Sequence, residues 1–137
     1  MAPRVYVCDQ NPRMRQLIRE RLHGHAEIVG EGGTAADAVT GATQQTLDVL
    51  VLDYRTAIGS IEATVAAVKE AAPDTAVVIH TGVPRNLIEE QVTQAGAIYS
   101  SKSEPEHLPM LVRALMSKRE GVRETGPAST EAASPGS

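Results

Sequence analysis

Apolar residues fall into two kinds of pattern along this chain, and the two alternate. Short runs rich in β-branched residues occur at Val5–Cys8 (VYVC), Val49–Leu52 (VLVL) and Val77–Ile79 (VVI). Runs this short, apolar on both alternating faces, predict strands covered above and below, as in the middle of a parallel sheet. Longer stretches between them repeat their apolar residues every three or four positions, the mark of a helix with one buried face. Met14, Leu17, Ile18 and Leu22 make the first stripe; Ile61, Val65 and Val68 the next; Leu87, Ile88 and Val92 another; and Leu108, Leu111, Val112, Leu115 and Met116 the last.

Turn and capping residues set the boundaries. A first strand over Arg4–Cys8 stops at Asp9; Asn11 is a helix cap and Pro12 suits the first helical position, so a helix runs to about Leu22. Ala26–Gly30 (AEIVG) reads as a short, partly polar strand, and Gly32-Gly33 as a turn. Thr34 with Asp37 three residues on predicts a capped, Ala-rich second helix to about Gln44. After the central strand, Tyr54–Gly59 is a loop, and Ser60 caps a third helix over 61–72. Strand Thr75–His80, a fourth helix over 84–95, and a half-polar strand Ala97–Ser101 follow. Ser103 and Glu106, with Pro105 between them, predict the start of a fifth helix. No apolar period survives from Gly121 to Ser137. The expected division is therefore a domain over 1–120 and a disordered tail or linker over 121–137.

Strands alternating with helices in this way predict an α/β fold with a doubly wound, five-stranded parallel sheet. The two polar strands belong at the edges and the apolar ones inside. Right-handed crossovers then give the order 2-1-3-4-5, the flavodoxin-like arrangement. In such sheets ligands gather beyond the carboxyl ends of the strands. Four polar residues stand there: Asp9, Asp53, Thr81 and Lys102. Two carboxylates suit a hard divalent ion such as Mg²⁺. A carboxylate can also attack phosphorus to give an acyl phosphate. An ammonium and a hydroxyl would stabilise the phosphoryl oxygens, and Gly82 leaves room for them beside Thr81.

Composition narrows the field. The chain has 137 residues, 42% of them hydrophobic, enough for one domain with a real core. That core is aliphatic, because Phe and Trp are absent. A formal charge of −4 argues against direct nucleic-acid binding. One cysteine cannot form an internal disulfide, and neither a signal peptide nor a membrane span is legible. A cytoplasmic protein that does not bind a membrane is the expectation.

The ordered segments VYVCDQNPRMRQLI, IVGEGGTAADAV, LDVLVLDYR, IEATVAAVKEAAPDTAVVIHTG and YSSK resemble the receiver domain of bacterial two-component response regulators, from Val5 to about Met116. The resemblance implies a signalling phosphoacceptor rather than an enzyme in the ordinary sense. It implies phosphotransfer to Asp53 from a histidine kinase, with Mg²⁺ on Asp9, Asp53 and the backbone carbonyl of Arg55. Thr81 and Lys102 would then contact the phosphoryl group, and Tyr99 would be the aromatic that changes rotamer as Thr81 moves. It further implies a downstream protein partner, or an output domain outside this chain that regulates transcription; homodimerisation stays open.

The departures from the family pattern carry weight too. The family usually has two adjacent acids after the first strand, and this chain has Cys8-Asp9. Cys8 is thus expected beside the ion site, weakening its hold on Mg²⁺ by removing a charge. The loop Tyr54–Gly59 is short and lacks a proline, and the segment before Lys102 is polar and one residue short. These features keep an alternative open: an atypical pseudo-receiver that acts as a phosphorylation-independent interaction or dimerisation module. A flavin carrier of the same fold is disfavoured, because Asp9–Asn11 lacks a Ser/Thr/Gly-rich phosphate loop.

Overall fold

The computed structural model describes residues 2–56 and 60–129, the stretch 119–129 as backbone only. Residues 57–59, in the second half of the loop expected after Asp53, and 130–137, at the end of the expected tail, lie outside the described residues. The elements are β1 (Arg4–Cys8), α1 (Pro12–Leu22), β2 (Glu27–Gly32), α2 (Ala35–Gln44), β3 (Val49–Leu52), a 3-10 turn (Tyr54–Thr56), α3 (Ile61–Ala71), β4 (Ala76–Thr81), α4 (Arg85–Gln94), β5 (Ile98–Ser101) and α5 (His107–Ser129). All neighbouring strands pair in parallel, in the order β2-β1-β3-β4-β5. This is the expected fold, with the two polar strands at its edges.

Strand alternation sorts the core into two layers. Val5, Val7, Val49, Val51 and Val78 pack with Ile18 and Leu22 of α1 and Leu108 and Val112 of α5. Tyr6, Cys8, Leu50, Leu52, Val77 and Ile79 pack on the other face, against α2, α3 and α4. Because β3 is buried at every position, it has no polar side to turn to solvent. No helix among the described residues is long and apolar enough to cross a membrane.

Local sequence signals hold at most helix starts. The Asn11 side chain accepts from Arg13 N, and the Ser60 side chain from Ala63 N. Thr34 and Asp37 form the reciprocal capping box. The fifth helix is a correction: it begins at His107, and Ser103 and Glu106 do not form the expected cap. A tight turn competes successfully. Ser103 N donates to Ser101 Oγ (3.1 Å) and Glu104 N to Ser101 O (3.2 Å), so the chain must turn again before helix hydrogen bonding begins. At its other end α5 continues to Ser129, past the boundary expected at Gly121. Extending an existing helix closes one hydrogen bond per residue without a new nucleus, so it needs no apolar face.

The glycines near β2 have a role beyond turning. A Cβ on Gly30, Gly32 or Gly41 would lie 2.5–2.9 Å from atoms of Tyr6, and one on Gly32 would also meet the Asp37 side chain. Two of these glycines come from β2 and one from α2, and together they form a slot for a ring that β1 turns into the α2 layer. Gly41→Ala is therefore expected to destabilise the fold by about 1–3 kcal/mol through overpacking. In urea unfolding, that cost should shrink when Tyr6 is first replaced by Leu. An equal cost in both backgrounds would show that the ring is not the obstacle.

Candidate functional site

The strand order places the ends of β1 and β3 side by side and brings β5 in across β4. Asp9 N donates to Gly32 O (3.0 Å), Asp53 N to Cys8 O (2.9 Å) and Lys102 N to Thr81 O (2.8 Å). Each of these backbones is thus pinned at the rim of the sheet. Asp9 and Asp53 are only 2% and 5% exposed. Two buried carboxylates without a counter-charge would be strongly unfavourable. The ammonium of Lys102 lies 2.8 Å from Asp9 Oδ2 and 2.8 Å from Asp53 Oδ1. The remaining oxygens accept backbone N–H bonds, Asp9 Oδ1 from Asn11 (2.9 Å) and Asp53 Oδ2 from Arg55 (3.2 Å).

These residues open onto a cavity of about 220 Å³, which Gln10, Arg55, Thr81 and Gly82 also line. A Cβ on Gly82 would meet nothing within 4 Å, so this part of the wall faces open space. The Thr81 hydroxyl oxygen accepts from Val83 N (3.1 Å), which leaves its proton as a donor. Among the described residues no group of three His, Cys, Asp or Glu side chains is placed to hold a metal. The donors present are nonetheless all oxygen and all hard. The two carboxylates suit a cation that keeps much of its water, as Mg²⁺ does.

Tyr99 is not at the cavity. It is buried on the α4 face, with its hydroxyl donating to Val83 O at 2.6 Å and the Arg85 guanidinium 4.6 Å from the ring centroid. Thr81 and Tyr99 therefore meet at one residue, Val83, whose N–H and C=O they hold respectively. Sequence reasoning did not single out Val83; its role is carried by its backbone, which leaves no side-chain signal.

Cys8 is a second correction. Its side chain faces the α2 layer, away from the cavity, with Sγ donating to Thr34 O (3.0 Å). Burial pushes the thiol up to about 12, with the nearby charges of Asp37 and Asp9 adding to the effect. The neighbour of Asp9 that does line the cavity is Gln10. Counting outward from the strand end would have found it, since Cys8 is the last strand residue and Gln10 the first exposed one beyond Asp9.

His80 sits under the site, on the α1/α5 face, with Nδ1 3.0 Å from Ser100 Oγ. Burial, helped by the positive charges of Lys102 and Arg21, pushes the imidazole down to about 4. It is neutral in the folded protein at neutral pH. The unfolded chain binds this proton more readily, so stability is retained above the ordinary histidine value near 6.5 and lost as pH falls towards 4. His80→Gln is expected to remove on the order of 3 kcal/mol of that loss between pH 7 and 4. Urea unfolding across this range checks it; an unchanged pH slope would mean that His80 is not the group responsible.

No protein-family model matches the chain, and no curated protein is detectably similar to it in sequence. Solved structures do match. The signal receiver domain of the response regulator NarL from Mycobacterium tuberculosis is 27% identical, with a TM-score of 0.72 over 88% of this chain and 98% of that one. The REC domain of AraT, a response regulator from Geobacillus stearothermophilus, is 22% identical, with a TM-score of 0.76 over 90% of this chain and 99% of that one. The isolated REC domain of RcsB from Salmonella enterica serovar Typhimurium, solved with the phosphomimetic BeF3⁻, is 18% identical, with a TM-score of 0.75 over 85% and 90%. The chain has the fold of response regulator receiver domains over most of its length.

Proposed function

We propose that this chain is the phosphoacceptor receiver of a two-component system and that Asp53 takes a phosphoryl group from a phosphohistidine of a histidine kinase. The observation that carries the reading is one ammonium shared at 2.8 Å by two buried carboxylates, beside a cavity with an open wall at Gly82. The receiver of RcsB, whose fold this chain shares, is described with a phosphomimetic. That likeness supports the same chemistry in this chain.

In the transfer, an oxygen of Asp53 attacks phosphorus, the P–N bond to the kinase imidazole breaks, and an acyl phosphate forms on Asp53. Lys102 already stands against Asp53 and follows the new negative charge onto the phosphoryl oxygens. Thr81 supplies its free hydroxyl proton to another of them. Mg²⁺, when bound, would be held by Asp9, Asp53 and the Arg55 carbonyl and would neutralise charge on the transferring group. Turning the Thr81 hydroxyl towards phosphate loosens its bond from Val83 N. Val83 in turn holds the Tyr99 hydroxyl, so the β4–α4 connection and Tyr99 respond together. Phosphate shifts this equilibrium only by its preference for one of the two arrangements. The readout is a protein contact on α4, β5 and α5, where Leu87 and Met110 are 67% and 61% exposed. The cellular setting is the cytoplasm, where a kinase and an output partner meet.

A small phosphodonor with Mg²⁺ is expected to add one phosphoryl mass to the intact protein, none to Asp53→Asn, and to label Lys102→Ala on the order of 100-fold more slowly. Absence of label on the wild type across a wide Mg²⁺ range would retire this reading in favour of a phosphorylation-independent interaction module.

A further inference from the structure

The β1–α1 connection brings three residues to the cavity wall, Asp9, Gln10 and Asn11. Asp9 is engaged by Lys102 and by Asn11 N, and the Asn11 side chain caps α1 by accepting from Arg13 N. Gln10, exposed and at the cavity wall, is the position from which a third carboxylate would reach the same space. It carries a neutral amide instead. The charged residues among those lining the cavity are thus Asp9, Asp53, Arg55 and Lys102, the Arg15 guanidinium bonds the Asp9 carbonyl from outside it, and the Lys102 ammonium already spans both carboxylates.

We infer that Gln10 sets this protein's demand for a divalent cation: with an amide at this position, an ion enters only by displacing Lys102 from the Asp9–Asp53 pair, and binds weakly. The inference rests on the reading of this cavity as the phosphoacceptor site. Affinity of an oxygen site for a hard dication rises with the charge and number of its ligands, and Gln10 brings a neutral amide to this wall in place of a charge. A dication and an ammonium on the same two carboxylates also repel one another, so each bound ion must first push Lys102 aside. The two effects act in the same direction and are separable by substitution, because one belongs to Gln10 and the other to Lys102.

The experiment titrates each protein with Mg²⁺ alone, at constant ionic strength and without phosphodonor, and follows the backbone amide resonances of Asp53, Thr81 and Val83. Gln10→Asp is expected to tighten Mg²⁺ binding by at least about tenfold. Gln10→Ala should leave it within about twofold, and Lys102→Met should tighten it by relieving competition. Gln10→Glu is the substitute if Gln10→Asp does not fold, as judged by far-UV circular dichroism. Equal affinity in wild type and both acidic variants overturns the inference. So does a large weakening in Gln10→Ala, which would make the amide itself a ligand, and so does weaker binding in Lys102→Met. The phosphodonor assay separates the two levels. A wild type that is labelled while the acidic variants bind Mg²⁺ no tighter refutes this inference alone. Cation affinities that follow the expectation in a protein never labelled refute the functional reading alone.

Discussion

One ammonium between two buried carboxylates is the constraint on which the upper rim of this sheet depends. Asp9 and Asp53 are close because β1 and β3 are neighbours, and neither is exposed enough for water to carry its charge. The counter-ion has to come from elsewhere. It comes from β5, two strands beyond β3, a distance of roughly 10 Å at the usual strand spacing. A long, flexible side chain is required to cross that gap, and it has to pass over the end of β4. Thr81 and Gly82, a small residue and one with no side chain, leave the way clear. Strand order, the identity of Lys102 and the small residues after β4 are thus one requirement seen at three places.

The same crossing places Val83 between the cavity and the α4 layer. Its peptide groups are held on one side by a residue of the cavity and on the other by a residue of the α4 layer. Arg85, the first residue of α4, covers the ring of Tyr99 while pairing with Glu89 and Glu104. A guanidinium at a helix N-terminus opposes the helix dipole, so Arg85 gains little from its own helix there. The ring and the two carboxylates supply its favourable contacts, which ties the start of α4 to the position of Tyr99.

Much of this was legible from residue patterns. Alternation and β-branching identified the inner strands, edge polarity gave their order, and the order brought Asp9, Asp53, Thr81 and Lys102 to one rim. What was not legible follows from the same physics. Cys8 and Gln10 flank Asp9 and would share a face if the strand continued, so only the point where β1 stops, at Cys8, decides which of them reaches the cavity; the two-acid family pattern pointed to the wrong neighbour. Gly30, Gly32 and Gly41 read as turn formers or weak helix residues, because nothing local shows that a ring from β1 fills the space their missing Cβ atoms leave. Ser103 and Glu106 have the spacing of a cap, but Ser101 reaches the Ser103 amide first, and one-dimensional spacing cannot rank that competition.

A change at the cavity meets a rigid pair of strands beneath it. The pairing of β4 with β5 runs in register from Val78↔Ile98 to Thr81↔Ser101 and is prolonged by Lys102 N to Thr81 O. Beneath it, His80 and Ser100 join the same two strands through side chains that are 1% and 0% exposed. Sliding β5 along β4 would break this ladder and strand two buried polar groups together, a cost far above that of turning one hydroxyl. Under the proposed role, a change at the cavity would therefore not leave by a shift of the sheet. It would pass by the segment just past the end of β4, which is held through the Thr81 and Tyr99 hydroxyls on Val83 rather than by a strand ladder: Gly82 has open space beside it, and Pro84, the N-cap of α4, makes no side-chain bond. The β4–β5 pair below the site, held by its ladder and by the His80–Ser100 bond, would then direct the proposed change into the Val83 connection above it.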